Sequence, residues 1–469
     1  MALLDIFKKK KTKKRNYSGA SKGKRLSRWT SSGSDANAAS ENSLKTLRER
    51  SRDLRRNSPY GRRAIDIISA NVIGIGISTS SQNENIDSLW KEWAGTTACD
   101  FDGDFNLKGL QKLAMDAVSE SGEVLIRTRV VAGLKFPYQY QVLEADFLDT
   151  TKTISVQNGN RVIQGIEFDT NGKLLGYHLY ETHPGSIDSK LSVNSNFIPK
   201  EEIKHIFRKD RPGQVRGVPW LSPVMVKIKD LGDFEDAQLV KQRIAACFTA
   251  FVQDISADCA TDPDADTGDL GEMLEPGVIE ELPPGKTVTF SDPPTVENYK
   301  EFVTAQVRSI SIGLGLSFEA YSGDLTETNY SAGRMGHIEM GRNVDSWRKH
   351  IIMSQMLDPI VDDFNRMLIL MGIDSKNNKM THTPPMRQMI DPTKEIPAMI
   401  KSVRAGLSSR SEMITSMGGD PSDTADQIAK DNKKADELGL ILDSDARYTN
   451  ISGKKQEVET DEKNQDQQE

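Results

Sequence analysis

Apolar positions recur at helical spacing soon after the start of the chain. From Ser43 onward Leu44, Leu47 and Leu54 sit among Arg48, Arg50, Arg52, Arg55 and Arg56. Pro59 separates this helix from a second, Tyr60 to Ile73, in which Ala64, Ile65, Ile67, Ile68 and Val72 mark a buried face. The same period predicts helices over Ile86–Trp93 and Leu107–Ser121, the latter ended by Gly122. Alternation then takes over. Val124–Val131 and Tyr138–Leu143 read as strands, and Val162–Phe168 with Leu174–Tyr180 reads as a hairpin around Asp169-Thr170-Asn171-Gly172, because Asn-Gly tolerates the positive φ of tight turns.

The next pattern is helical again and far longer. Leu221 to Val252 reads as one helix of about thirty residues, against a globular mean of about 11 to 12, with Pro219 and Pro223 at its opening. Short strand candidates, Val278–Leu282 and Thr287–Phe290, precede a second helix, Val296–Gly313. A Gly/Ser/Thr-rich loop over 315–331 leads into another long helix, Ala332–Met371, expected to kink near Gly341 and at Pro359. Shorter helices follow at Pro392–Ala405, Ser411–Met417 and Pro421–Leu438, with Ser408 or Ser409 as a cap candidate. The fold class is therefore α+β, predominantly helical, and 469 residues call for two to four structural units.

Charge is polarised in a way the net value of −7 hides. Residues 1–28 hold eleven Lys/Arg and one acid, whereas 254–281 hold ten acids and no Lys/Arg. The basic, serine-rich arm over 1–40 buries too little apolar surface to offset chain entropy and is expected to be disordered, as is the polar tail over 451–469. The lysine run follows the apolar Met1–Phe7 patch, the reverse of a secretory signal, and no apolar run approaches the roughly 18 to 20 residues of a membrane span. Cys99, Cys247 and Cys259 are odd in number and lack ligand spacing, so they read as reduced thiols.

Chemistry is sought without success. The six histidines form no metal-ligand spacing. Gly285-Lys286-Thr287 mimics the end of a phosphate loop, but Glu280 stands where its first glycine belongs, and Pro283 and Pro284 remove two N–H donors. Asp262, Asp264 and Asp266 imitate a calcium loop, yet Gly268 comes one place late and Met273 stands where the bidentate carboxylate is needed. Gly74-Ile75-Gly76 lacks the third glycine of a dinucleotide fingerprint, and no G-x-S-x-G elbow occurs. No catalytic, cofactor or metal residue is assigned.

Several passages resemble a known family. Arg208 to Phe248 runs from a basic Gly/Pro turn through Gly217-Val218-Pro219-Trp220 into a long helix ending Ile244-Ala245-Ala246-Cys247-Phe248. With Arg55 to Asp66, Gly122-Glu123-Val124-Leu125-Ile126-Arg127, Leu274-Glu275-Pro276-Gly277, Arg308 to Gly315 and Asn329-Tyr330-Ser331-Ala332, this wording is similar to the lambda-type bacteriophage portal family over roughly residues 44–440. The resemblance implies a portal fold: arm 1–40, wing 41–220, first stem helix 221–252, clip 253–295, second stem helix 296–314, tunnel loop 315–331, a crown-leading helix over 332–383, crown 384–450 and tail 451–469.

It further implies a non-enzymatic ring of about twelve copies, a closed homo-oligomer at one capsid vertex. Double-stranded DNA would pass through that ring transiently, without sequence specificity, during packaging and ejection. The implied partners are the terminase large subunit, a head-completion adaptor, and the major capsid and scaffold proteins, with no membrane. The setting is the virion, and the host cytoplasm during assembly. A channel that neutralised many phosphates would hold DNA tightly, so DNA-facing positions should be small and polar. They are assigned to Ser317, Glu319, Ser322, Asp324, Thr326, Glu327, Thr328, Asn329 and Ser331. Stem charges Lys227, Lys229, Asp233, Glu235, Asp236, Lys241 and Arg243 pair either between neighbouring stem helices or within one helix. Clip acids Asp262, Asp264, Asp266, Asp269 and Glu272 would meet docking proteins. The alternatives are a nucleic-acid enzyme, such as a packaging ATPase or nuclease, and a DNA-binding regulator that grips phosphates with its arm and the Arg48–Arg63 helices.

Overall fold

A computed structural model describes residues 31–155, 159–187, 194–246, 250–254, 286–290, 299–326, 328–375, 378–387, 389, 391–442, 445, 447 and 448. The clip acids Asp262, Asp264, Asp266, Asp269 and Glu272 lie outside these residues, as do Glu327, Cys247, Cys259, the 278–282 strand candidate, the lysine run and the 451–469 tail. Among the described residues no helix is long and apolar enough to cross a membrane.

The chain opens with α1 (Ala36–Ser40), α2 (Leu44–Asn57) and α3 (Pro59–Val72). Ser58 separates the last two because its Oγ accepts from Gly61 N while Pro59, lacking an N–H, occupies the first helical position. After β1 (Ser78–Ser81) come α4 (Glu84–Ala94) and α5 (Leu107–Ser121), capped by Asn83 and Asn106. Gly122, at φ +90°, turns the chain out of α5 into β2 (Glu123–Val130), which pairs with β3 (Tyr138–Glu144). The strands β4 (Ile154–Ser155), β5 (Arg161–Ile163), β6 (Ile166–Phe168), β7 (Leu174–Tyr180) and β8 (Ser195–Pro199) form one antiparallel meander. β9 (Ile203–Phe207) returns to complete a three-stranded sheet in the order β3-β2-β9.

The helical half follows. α6 (Met225–Ala246) leads to β10 (Ala250–Asp254), which pairs with β11 (Lys286–Phe290), and α7 (Tyr299–Leu314) runs back. Short α8 (Phe318–Ser322) precedes α9 (Tyr330–Trp347), a π-helical segment over Arg348–Leu357 and α10 (Asp358–Leu370). β12 (Met380–Thr383) pairs antiparallel with β1, and α11 (Pro392–Arg404), α12 (Arg410–Ser416) and α13 (Pro421–Glu437) close the chain.

Two cores share β2. Val124 and Ile126 point into the larger one, which gathers α2 to α5, the start of α6, and α7 to α10, whereas Leu125 points into a smaller core with Leu143, Ile166, Tyr177, Leu179 and Ile203. In the large core Trp93 stacks on Phe364 at 5.2 Å and meets Tyr140 edge-on at 5.8 Å, and its Nε1 donates to Tyr138 O at 3.0 Å.

Three expectations are corrected. The thirty-residue helix is 22 residues long, because Leu221–Val224 forms tight turns around Pro223 and the β-prone Ala250–Asp254 run pairs with β11. Val162–Phe168 is two strands: Gln164 (φ 49°) and Gly165 (φ 83°) make the tight turn there. The Asp169–Lys173 connection is wider, and is closed by Asp169 Oδ1 accepting from Asn171 N and Lys173 N. The long helix after the loop changes to π geometry at Arg348–Leu357 rather than at Gly341, and Pro359 sits harmlessly in the first turn of α10.

Candidate functional site

The Gly217–Trp220 turn is held by a buried ionic network. Glu123, fully buried at the start of β2, accepts from Arg216 Nε at 2.9 Å and Nη2 at 2.6 Å, from Arg48 Nη1 at 3.3 Å and from Gly217 N at 2.8 Å. His205 Nε2 lies 2.9 Å from Oε2, the oxygen that also accepts from Gly217 N. Burial alone would raise the Glu123 carboxyl, but Arg216 and the His205 hydrogen bond outweigh it and hold the group well below the usual carboxylate range. Gly122 and Gly217 meet backbone to backbone, and a Cβ on either would overlap the backbone of the other's segment. Trp220, tilted against Trp347 at 4.7 Å, then fixes where α6 departs.

Arg48, Arg52 and Arg55 are not a phosphate grip. Arg48 Nη2 and Arg52 Nη2 reach Asp146 at 3.3 and 2.6 Å, and Arg55 reaches Asp116 at 3.0 Å and Glu120 at 3.5 Å. These guanidinium groups tie α2 to β3 and α5, so three of the arginines that the regulator reading calls on are engaged within the chain. Glu144, Asp146 and His183 come close enough to share an ion, yet Arg52 pairs with both carboxylates, so the place is already filled by charge. Cys99 is buried and its thiol is pushed up to about 12, by burial first and by Asp100 second, as befits an inert thiol.

α6 and α7 pack as a hairpin rooted in the large core. Ile228 and Leu231 face Val307, Ile310 and Leu314 in that core, and Phe234 stacks on Tyr299 at 5.9 Å and against Phe302 at 4.6 Å. Of the stem charges, Lys229 pairs with Asp233 inside α6, and Lys227 Nζ donates to Ser309 Oγ on α7. Glu235 accepts from Tyr60 OH at 2.7 Å. Asp236 and Arg243 are exposed and Lys241 is half-buried. Other faces of the pair are apolar and open: Val226 is 68% exposed and Ile312 77%, with Leu239, Val240 and Phe302 also exposed.

The loop is organised rather than extended. Ser317 caps α8 through Ala320 N, Asn329 caps α9 through Ala332 N, and Asp324 Oδ1 accepts from Thr326 N and Oγ1. The Thr326 bonds lower the Asp324 pKa. Ser322 Oγ donates to Phe318 O, Thr328 N donates to Leu325 O, and Ser331 is exposed in the first turn of α9. Glu319 and Asp324 face Lys300 and Arg308 of α7 across a recess of about 210 Å3 that Thr328 also lines.

One residue anchors both pieces. Tyr60 donates its hydroxyl to Glu235 of α6 and accepts at its carbonyl from Tyr321 OH of α8 at 3.0 Å, while Arg63 Nη2 donates to Ala320 O at 3.1 Å. Burial and the Glu235 bond raise the Tyr60 phenol well above its ordinary value. Sequence reading places Tyr60 only in an apolar helix and leaves Glu123, Arg216 and Tyr321 without roles. The adjacent words Ser58-Pro59-Tyr60-Gly61 and Gly122-Glu123 were the available signal.

The family model for phage portal protein, lambda family, matches residues 22–348. The chain is 26% identical over 462 residues to a probable portal protein of Halomonas phage phiHAP-1, covering 92% of this chain and 89% of that one. It is 21% identical over 501 residues to portal protein B of Escherichia phage lambda, covering 94% and 93%. Among solved structures it is similar to the neck of a native gene transfer agent particle computed with C12 symmetry, at 14% identity and a TM-score of 0.49, over 81% of this chain and 94% of that one.

Proposed function

The chain belongs to the lambda family of phage portal proteins, and from that premise we propose how its parts serve a portal in the phage head. Copies stand side by side in a closed ring of about twelve, with the α6–α7 hairpin of each forming the wall. The observation that carries this reading is the apolar character of that hairpin on several faces. Ile228 and Leu231 are buried within the chain, while Val226, Leu239, Val240 and Ile312 stand exposed among the charges of α6 and α7, and large apolar side chains left open along two paired helices call for cover. Neighbouring hairpins supply that cover.

The segment from Ser317 to Ser331 faces the bore. Hydroxyl and amide groups dominate it, and its two described acids lie near Lys300 and Arg308, so it offers passing duplex DNA weak, sequence-independent contact. The acidic 254–281 segment, carried between β10 and β11, receives the terminase large subunit and later a head-completion adaptor; the sheet-bearing wing meets major capsid and scaffold proteins. Negative-stain images of the purified full chain, viewed down the axis, test the reading: rings with a central hole are expected, and a population of monomers under every assembly condition overturns it.

A further inference from the structure

An open recess of about 570 Å3 lies where the end of β2 meets α10. Three guanidinium groups line it, Arg127 and Arg129 from alternate positions of β2 and Arg366 from α10, and they are unequally engaged. Arg366 and the buried Lys204 both pair with Asp363, so that carboxylate is fully committed. Arg129 donates through Nε and Nη2 to the neutral Gln141 Oε1 at 3.0 and 2.7 Å. Burial first, and Arg127 beside it, lower its pKa, with Glu202 the one offsetting acid. Arg127 touches Glu202 Oε2 at 3.3 Å through Nη2, while its Nε is buried with no hydrogen-bond partner among the described residues. Arg127 thus leans on one partly exposed carboxylate and Arg129 on a neutral amide, and one donor of Arg127 stays unused. Phe101, under Arg129 at 5.4 Å, and the exposed Val130 give the mouth an apolar lip.

We propose that this recess binds a carboxylate side chain presented by an acidic, apolar-flanked peptide segment of a docking protein. A planar carboxylate matches the fork of Arg127, and the apolar lip receives the flanking residue. A nucleic-acid backbone fits worse, because Glu201 and Glu202 stand on one wall and repel a dense polyanion more than a single charge.

The test is fluorescence anisotropy on the full-length protein with a short labelled peptide of alternating Glu and Leu, its Gln-for-Glu counterpart, and a labelled DNA duplex. Saturable binding of the Glu peptide is expected, with little binding of the Gln peptide. Arg127→Gln should weaken it about tenfold, the scale of one charge-assisted hydrogen bond. Glu202→Gln, a change at a partly exposed side chain that leaves the core intact, should strengthen it by freeing Arg127. Equal binding of the two peptides, tighter retention of the duplex that depends on Arg127, or indifference to both substitutions overturns the assignment.

Discussion

Glu123 shows how much one side chain can organise. Removing its charge leaves Arg216 buried without a carboxylate partner and Arg48 with Asp146 alone, so Glu123→Gln should destabilise the subunit by about 3 to 5 kcal/mol in chemical denaturation. Its depressed pKa also fixes a pH dependence. The folded carboxylate releases its proton below the ordinary value of 4.5, so its contribution is fully present above that value and is lost as pH falls toward the lower folded one. Thermal melts across that acid window should drop more steeply for the parent chain than for Glu123→Gln. Gly217 is equally constrained. A methyl there overlaps the Gly122 carbonyl, and Gly217→Ala should cost about 3 kcal/mol, read by the same denaturation curves, since backbone cannot move aside as a side chain can.

At the scale of elements, local signals were enough where they were self-contained. α5 runs from Leu107 to Ser121 as its period and Gly122 predict, and Ser409 forms a capping box with Glu412 at the head of α12. Ser409→Ala should therefore weaken α12 by about 1 kcal/mol, seen as faster amide exchange confined to Arg410–Ser416. Other elements depend on distant partners. β1, the sequence Ser-Thr-Ser-Ser, has no alternation to read and is a strand only because β12 lies beside it. The π-helical turn was likewise hidden. Arg348 reaches back from it to Asn71 O at 2.7 Å and Val72 O at 2.8 Å, capping α3, a contact that no local pattern encodes. The glycine expected to kink the helix, Gly341, instead leaves room for Arg387, which pairs with Asp345.

For the whole molecule, the family and the α+β class were legible because many short passages occur in the right order. The working parts were legible only as regions. Charges on α2 look solvated in sequence, and nothing local shows that Arg48 and Arg52 turn inward to Asp146. Within the single chain Lys229 pairs with Asp233 and Lys227 with Ser309, and in the ring proposed above the exposed apolar side chains of α6 and α7 hold neighbours together. Ile312→Asp should then abolish rings, as read by native mass spectrometry, while circular dichroism of the released subunit stays unchanged, because Ile312 is 77% exposed in the single chain.

The β1–β12 ladder also constrains how the chain is made. Thr79 and His382 are joined at 2.8 Å across a separation of 303 residues. β1 emerges from the ribosome early and must wait, edge bare, while about 300 further residues are translated. Subunits interrupted before Met380 leave that edge open to any other extended strand, so nonsense fragments of this gene are a hazard to the cell's solubility rather than merely incomplete building blocks.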